Sequence, residues 1–307
     1  MREGKVMVRS LLPSAALLFV LAIPDARATE YIGICEASAG AFLNKTHFAV
    51  ASDETNKLRI YERGKPVSVG EADMEAFTSF DKSDLEAAAV IGDRVYWISS
   101  HSFNSSGEDK NKRKVFLATR IGQANGKPTL TGVGKPVKSL RDPIANAAKV
   151  KPSEMNIEGL AATPDGGLLI GLRAPQRDGM ALVVPFNNPA AVVDKGAAPE
   201  FGEAVPIDLQ GRGIRSMDLL GKGGAQYIIV AGPAVDSAEA FVMFRWSGPG
   251  TKPAEIKGLD LAGIKPEGAM VVPGHDLVQL LSDDGEICDD EKDPPEKRRF
   301  RSIDVKP

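Results

Sequence analysis

The chain is poor in the residues from which most catalytic motifs are built. Its three histidines, His47, His101 and His275, are scattered and single, and no H-E-x-x-H occurs, which excludes the common helical zinc motif. Only two cysteines are present and no C-x-x-C, which excludes a zinc ribbon and a vicinal redox pair. There is no G-x-S-x-G elbow for a serine hydrolase. Residues 122–127 superficially resemble a phosphate loop, but the spacing is wrong and Pro128 stands where a hydroxyl residue is needed. Ser100 and His101 adjoin, yet on a strand they would point to opposite faces and could not act as nucleophile and base. The net charge is −3, so the basic footprint of a nucleic-acid binder is missing. The apolar run at residues 11–23 is too short to span a bilayer comfortably and is broken by Pro13.

What the chain does have is a repeat. Ile157-Glu158-Gly159-Leu160 enters a short apolar strand, Pro164-Asp165-Gly166-Gly167 makes a turn, and Leu168-Leu169-Ile170-Gly171-Leu172 returns. The plan recurs at Glu36, Glu86, Arg215 and Glu267, at intervals of roughly 50 to 70 residues. Each unit continues into runs rich in β-branched and aromatic residues, such as Val95-Tyr96-Trp97-Ile98 and Tyr227-Ile228-Ile229-Val230. Gly and Pro break these runs too often for helices. Repeated units of about four short strands predict an all-β chain, a β-propeller of five four-stranded blades, with six blades or an open sandwich as alternatives. The last unit lacks a strand, and Glu30-Tyr31-Ile32-Gly33-Ile34 is a spare one. The ring is therefore predicted to be closed by the N-terminal strand, which protects the sheet edges. The longest interval contains residues 141–153, where a short helix is the expected insertion, and residues 187–199 read as an exposed Pro/Ala-rich loop.

Residues 1–28 read as a secretory signal peptide: Arg2, Lys5 and Arg9, then the apolar run, then Ala26-Arg27-Ala28 as an A-x-A cleavage site. Residues 29–307 form a single propeller domain. The expected location is periplasmic or secreted, as a monomer with no stable membrane anchor after cleavage. Export permits a disulfide, and Cys35 in the first blade and Cys288 in the last are expected to meet across the ring closure; two buried free thiols are the alternative.

In a propeller, the start of each innermost strand and the loop between the second and third strands share one face. Here those segments are long and polar, so the working face is assigned to the side of Glu36, Asp53, Glu86, His101, Glu158, Arg173, Arg215, Glu267 and Asp283. Equivalent positions related by rotation about one axis place Glu36, Glu86, Glu158 and Glu267 at one mouth of the channel, with Arg215 among them. Converging carboxylates repel unless a cation intervenes. Either Arg215 knits them together, or the mouth takes a hard divalent cation such as calcium. The acidic stretch Asp283, Asp284, Glu286, Asp289, Asp290, Glu291 and Asp293 is also oxygen-rich, but it lacks EF-hand spacing and reads as a solvated loop.

The glutamate-glycine strand starts, Ser52-Asp53-Glu54-Thr55-Asn56 followed by Leu58-Arg59-Ile60-Tyr61, and Trp97-Ile98-Ser99-Ser100-His101 together resemble the bacterial exported family known as domain of unknown function 3616. That resemblance implies the propeller and brings no established activity. A weaker likeness, in Glu158-Gly159-Leu160 with Pro164-Asp165-Gly166, is to the esterase-like phytase propellers. The expected function is a binding module for a small polar ligand or a protein at the axial mouth. The alternative is a metal-dependent phosphoester or ester hydrolase, and a glycosidase using two of the carboxylates stands behind both.

Overall fold

The structure is a computed structural model that describes residues 1, 28–221, 226–235, 237, 239–289 and 292–307. The signal-peptide reading therefore falls almost wholly outside the described residues, as do Asp290 and Glu291 of the acidic stretch. Among the described residues no helix is long and apolar enough to cross a membrane.

The strands form five four-stranded antiparallel sheets. The N-terminal strand β1 (Thr29–Ile32) comes first in the chain but belongs to the last blade. Blade one is β2 (Ala39–Phe42), β3 (His47–Ser52), β4 (Thr55–Glu62) and β5 (Ser68–Asp73). Blade two is β6 (Leu85–Ile91), β7 (Arg94–Ser99), β8 (Phe116–Ala124) and β9 (Lys127–Val137). Blade three is β10 (Asn156–Ala162), β11 (Leu168–Ala174), β12 (Ala181–Phe186) and β13 (Val205–Ile207). Blade four is β14 (Gly213–Leu219), β15 (Tyr227–Gly232), β16 (Val242–Trp246) and β17 (Ala254–Glu255). Blade five is β18 (Pro266–Val271), β19 (Val278–Ser282) and β20 (Arg299–Val305), completed by β1. The innermost strands β2, β6, β10, β14 and β18 contact one another in that order, and β18 returns to β2, so the ring is closed.

Side-chain pattern explains the strand ranks. β15, Tyr-Ile-Ile-Val-Ala-Gly, is buried at every position because neighbouring blades cover both its faces. β4 lies further out and alternates between half-buried and buried residues over most of its length, the period-two pattern of a strand with one wet face. The Pro164-Asp165-Gly166-Gly167 turn joins β10 to β11. Thr163 donates its N–H to Gly167 at 2.9 Å, and Gly166 takes φ +89, which an L side chain would resist. Apolar side chains fill the gaps between blades. Ile98 and Phe116 of blade two pack with Ile157 and Ile170 of blade three in one such layer.

Closure is carried by β1. It runs antiparallel to β20, from Thr29 opposite Ser302 to Ile32 opposite Arg299. Tyr31, 1% exposed, inserts among Phe48, Tyr61 and Phe300, with ring centroids 5.2 Å away in each case. Burying one such ring stabilises by about 1.5–3 kcal/mol. The polar ends are met too: Tyr61 donates its hydroxyl to Ile32 O at 2.9 Å, and the Tyr31 hydroxyl accepts the Gly64 N–H at 2.9 Å. Cys35 and Cys288 form the expected disulfide beside this seam, with Cα atoms 5.7 Å apart.

Among the described residues, three short α-helices interrupt the plan. α1 (Glu75–Thr78) follows blade one, and α2 (Arg141–Ala148) is the insertion expected at residues 141–153. α3 (Pro189–Lys195) corrects the reading of residues 187–199 as an exposed loop, for it buries Pro189, Val192 and Val193. Pro189 sits in its first turn, where a missing N–H costs nothing, and Gly196 ends it in the left-handed conformation.

Candidate functional site

The repeat position has a structural cause. In β6, Leu85 pairs with Ser99 and Ala87 with Ile98, so Glu86 has no partner opposite. The same one-residue slip isolates Glu158 in β10, Arg215 in β14 and Glu267 in β18. Each is a β-bulge at the start of an innermost strand, and a bulge re-aims the extra side chain. Four of the five blades thereby deliver one charged group to the same mouth.

Blade one does it differently, and here the expected equivalence fails. Its innermost strand starts only at Ala39 and pairs with β3 without a slip. Glu36 lies before that strand and makes an isolated antiparallel bridge with Asp283. Its carboxylate occupies the space over Gly285, where an added Cβ would clash with Glu36 Oε1. Asp283 itself accepts the Gly285 N–H at 2.9 Å.

Ion pairs tie three blades together on one side of the mouth. Arg215 Nε lies 2.8 Å from Glu158 Oε2, and Arg215 Nη2 pairs with Glu267 Oε1. Arg173 Nη1 adds a bond of 3.0 Å to Glu158 Oε1 and anchors its own Nε on Pro233 O at 3.2 Å. Asn156 Nδ2 also reaches Glu158 Oε1, at 3.3 Å. Glu158 is 4% exposed and Arg215 7%, so these charges work in a poorly solvated space. Burial still pushes Glu158 above the usual carboxylate range, opposed by Arg215 and Arg173.

The other side, from blades one and two, is acidic. One oxygen each of Asp53, Asp84 and Glu86 lie within 4.8 Å of one another, and the same holds for Glu36, Asp53 and Glu54. Asp53 belongs to both sets. Asp84 is paired by Arg113 at 2.8 Å and accepts the Ser100 hydroxyl, while Glu54 pairs with Lys82. Asp53 and Glu86 have no cation partner among the described residues. Burial first, then the charge of Glu36 and its hydrogen bond, then Asp84 and Glu54, push Asp53 up to about 9. Glu86 is pushed well above its ordinary value by burial and by Asp84, Glu158 and Asp53, with Arg215 opposing. Burial also raises Asp84, against Arg113 and Ser100. Asp283 is raised by burial, with the Gly285 N–H opposing.

His101 does not join this set. Its ring is fully buried, its Nδ1 lies 2.9 Å from Ser99 O, and the charges it feels are those of Arg141 and Lys114. Burial lowers it to about 4, so it is neutral at ordinary pH. Among its described residues, the acidic stretch from Asp283 does not gather either. Asp284 is consumed by Arg301, whose backbone N–H and guanidinium both donate to it, while Glu286 pairs with Lys265 and Asp289 with Lys292.

Sequence reasoning did not single out Asp84, Glu54 or Arg113. Asp84 stands two residues before the repeat glutamate and takes a left-handed φ of 54, unusual for a side-chain-bearing residue. An aspartate tolerates that conformation better than most residues. Arg113 arrives from the long polar loop that follows β7, and nothing local in the sequence marks its partner.

Fold and mouth together define the class: a five-bladed β-propeller with a charged axial mouth, cationic and anionic groups balanced on one side and carboxylates in excess on the other. Within that class the chain belongs to the family described as "Protein of unknown function (DUF3616)", whose model matches residues 94–258, more than half of the sequence. Glu158, Arg173 and Arg215 fall inside the matched segment; Glu36, Asp53, Asp84, Glu86, Glu267 and Asp283 fall outside it. No curated protein matches the sequence. Among solved structures, similarity extends to glutaminyl cyclase from Myxococcus xanthus, with 12% identity, a TM-score of 0.45, and 90% of this chain and 95% of that one covered. It extends also to a "putative oxidoreductase (glucose dehydrogenase)" from Thermus thermophilus, with 14% identity, a TM-score of 0.47, and 90% and 99% covered. A third is the PQQ-bound aldose sugar dehydrogenase from Streptomyces coelicolor, with 10% identity, a TM-score of 0.44, and 92% and 100% covered.

Proposed function

We propose that this protein is a binding module of the periplasm or cell exterior whose acidic mouth takes a cationic ligand, with a hard divalent cation such as calcium as its simplest occupant. The observation that carries this is the pair of carboxylate triads sharing Asp53, whose oxygens lie within 4.8 Å of one another. Oxygen-only donors at that spacing suit calcium better than the nitrogen- and sulfur-seeking metals. One oxygen of Asp53 is buried without a hydrogen-bond partner, which a cation would supply. Asp53, Asp84, Glu86 and Glu36 would hold the ion, with Glu54 at the edge. The fixed pairs around Arg215 keep the neighbouring blades in place. The export reading rests on the A-x-A site before Thr29 and agrees with a disulfide that oxidising compartments favour.

The test is calorimetric titration of the mature, EDTA-treated protein with calcium chloride and with magnesium chloride, alongside Asp53→Asn. Saturable binding of calcium that Asp53→Asn weakens at least tenfold supports the reading. Absence of binding up to millimolar calcium, or equal binding by the variant, overturns it. Turnover of a generic phosphoester by the calcium-loaded protein, lost in Asp53→Asn, would favour the hydrolase alternative instead.

A further inference from the structure

The opposite end of the channel is built of different material. There the innermost strands reach their hairpin turns, and they enclose a cavity of about 710 Å³. Its walls include Gly40 and Ala41 of β2, Ala88 and Ala89 of β6, and Ala162 of β10. Phe42, Val90, Leu219 and Val271 supply apolar wall around them. A cavity of this size with mostly apolar walls and few polar groups is what small organic ligands occupy.

One carboxylate is set into that wall. Asp218 of β14 accepts the N–H of Leu219 at 2.8 Å on one oxygen and that of Val271, on the adjacent blade, at 2.8 Å on the other. These two bonds fix the group in direction and leave each oxygen a further lone pair. Among the described residues, the charged or titratable side chains that line the cavity are Asp218, His275 and Asp276, with no lysine or arginine. Asp276 is half-answered at the rim by Lys306, 3.7 Å away. Asp218 has no cation partner among the described residues, and burial lifts it to about 6 against the two backbone N–H groups. At neutral pH it is therefore mainly ionised.

We infer that this cavity is a second binding site, independent of the acidic mouth, for a small organic amine: an apolar body against the alanine and valine walls and a protonated nitrogen on Asp218. Charge complementarity selects the class. A carboxylate ligand would meet Asp218 and Asp276 as like charges, and a purely apolar one would bury the Asp218 charge with no cation to offset it. An ammonium group donates to the free lone pairs and offsets the charge.

The experiment titrates the mature protein with benzylamine at pH 7.5, followed by protein NMR shifts, with benzyl alcohol and benzoate as comparators. Benzylamine is expected to bind at least tenfold more tightly than the alcohol, and benzoate not at all. Val90→Trp, which fills a half-exposed cavity wall, should abolish binding. Asp218→Asn should reduce benzylamine to the affinity of the alcohol. Should Asp218→Asn fail to fold, for want of an acceptor for one backbone N–H, Val90→Trp decides alone. Asp53→Asn at the other mouth should leave benzylamine binding unchanged. Equal binding of all three compounds, no binding of benzylamine, survival of binding in Val90→Trp, or its loss in Asp53→Asn would each overturn the inference.

Discussion

The two sides of the mouth use one ring position for opposite ends. On the side of blades three to five, Glu158 and Glu267 meet Arg215 and Arg173, and acid and base are matched across three blades. On the side of blades one and two, Glu36, Asp53, Glu54, Asp84 and Glu86 crowd together, with Arg113 on Asp84 and Lys82 on Glu54 as the described cations. The bulge that delivers Glu86 is the same device that delivers Glu158. What differs is whether the next blade supplies an arginine. A propeller can thus turn one repeated carboxylate into a lock or into a binding group by changing a neighbour.

Removing the cation from the matched side should have the largest effect. Arg215→Met leaves Glu158 and Glu267 beside each other with Arg173 as the described cation in support, and breaking a buried pair in this way costs about 3–5 kcal/mol. Glu86→Gln, on the acidic side, should cost little or even stabilise, because burial and the neighbouring carboxylates already disfavour the ionised form there. Chemical denaturation of both variants checks the contrast. A cost below about 1 kcal/mol for Arg215→Met, small for a buried pair, would mean the matched side is no lock.

The disulfide comes next. Cys35 adjoins Glu36, and Cys288 follows Asp283 and Gly285, so the bond pins the one repeat-position carboxylate that no bulge delivers. Replacing both cysteines with serine should cost about 2–4 kcal/mol. It should also weaken calcium binding, while leaving the Arg215 pairs in place. Unchanged calcium affinity in the double variant would show that Glu36 is held without it.

Much of this was open to reading in the chain itself. The spacing of Glu36, Glu86, Glu158, Arg215 and Glu267 marked the blades, the strand missing from the last unit and the spare run at residues 30–34 marked the closure, and two cysteines at opposite ends of the mature chain pointed to their bond. What could not be read was the difference between the two sides. Arg215 and Glu158 stand 57 residues apart but 2.8 Å from each other only because β10 and β14 are neighbours in the ring. The same holds for Asp84, whose role depends on Arg113 and Ser100 arriving from beyond β7. His101, expected on the working face at the end of the second strand, proved to be buried, at a position where the backbone takes a left-handed φ. Residues 187–199 looked exposed because proline and alanine carry no periodic apolar stripe, yet two valines suffice to dock α3.

A smaller effect lies in pH. The folded state raises Asp53 to about 9, whereas the unfolded chain holds it near 3.9. Between those values the folded state binds the extra proton, so stability should fall as pH rises through the window. Glu86 and Asp84, also raised, act in the same direction. In EDTA, the melting temperature should therefore decline from pH 5 to pH 9, and less steeply in Asp53→Asn. Calcium should reverse the decline at the alkaline end, since it favours the ionised form. A melting temperature that rises across this range in EDTA would contradict the carboxylate environment described above.

The smallest expected effect on stability is the most discriminating for the acidic side. Lys82 and Glu54 pair at the edge of the mouth, with side chains 28% and 25% exposed, so water screens much of their attraction. Exposed pairs of this kind are worth about 0–1 kcal/mol, and Lys82→Met should cost no more than that. Its consequence for binding should run the other way. Glu54 shares a triad with Glu36 and Asp53, and Lys82 competes with any cation for its oxygens. Freed from Lys82, Glu54 becomes a better ligand and the local field more negative, so calcium should bind more tightly in Lys82→Met by a few-fold, with the gain shrinking as salt is raised. A loss of affinity on removing this cation would place Lys82 among the groups that shape the site, and would mean that carboxylate excess is not what draws the ligand in.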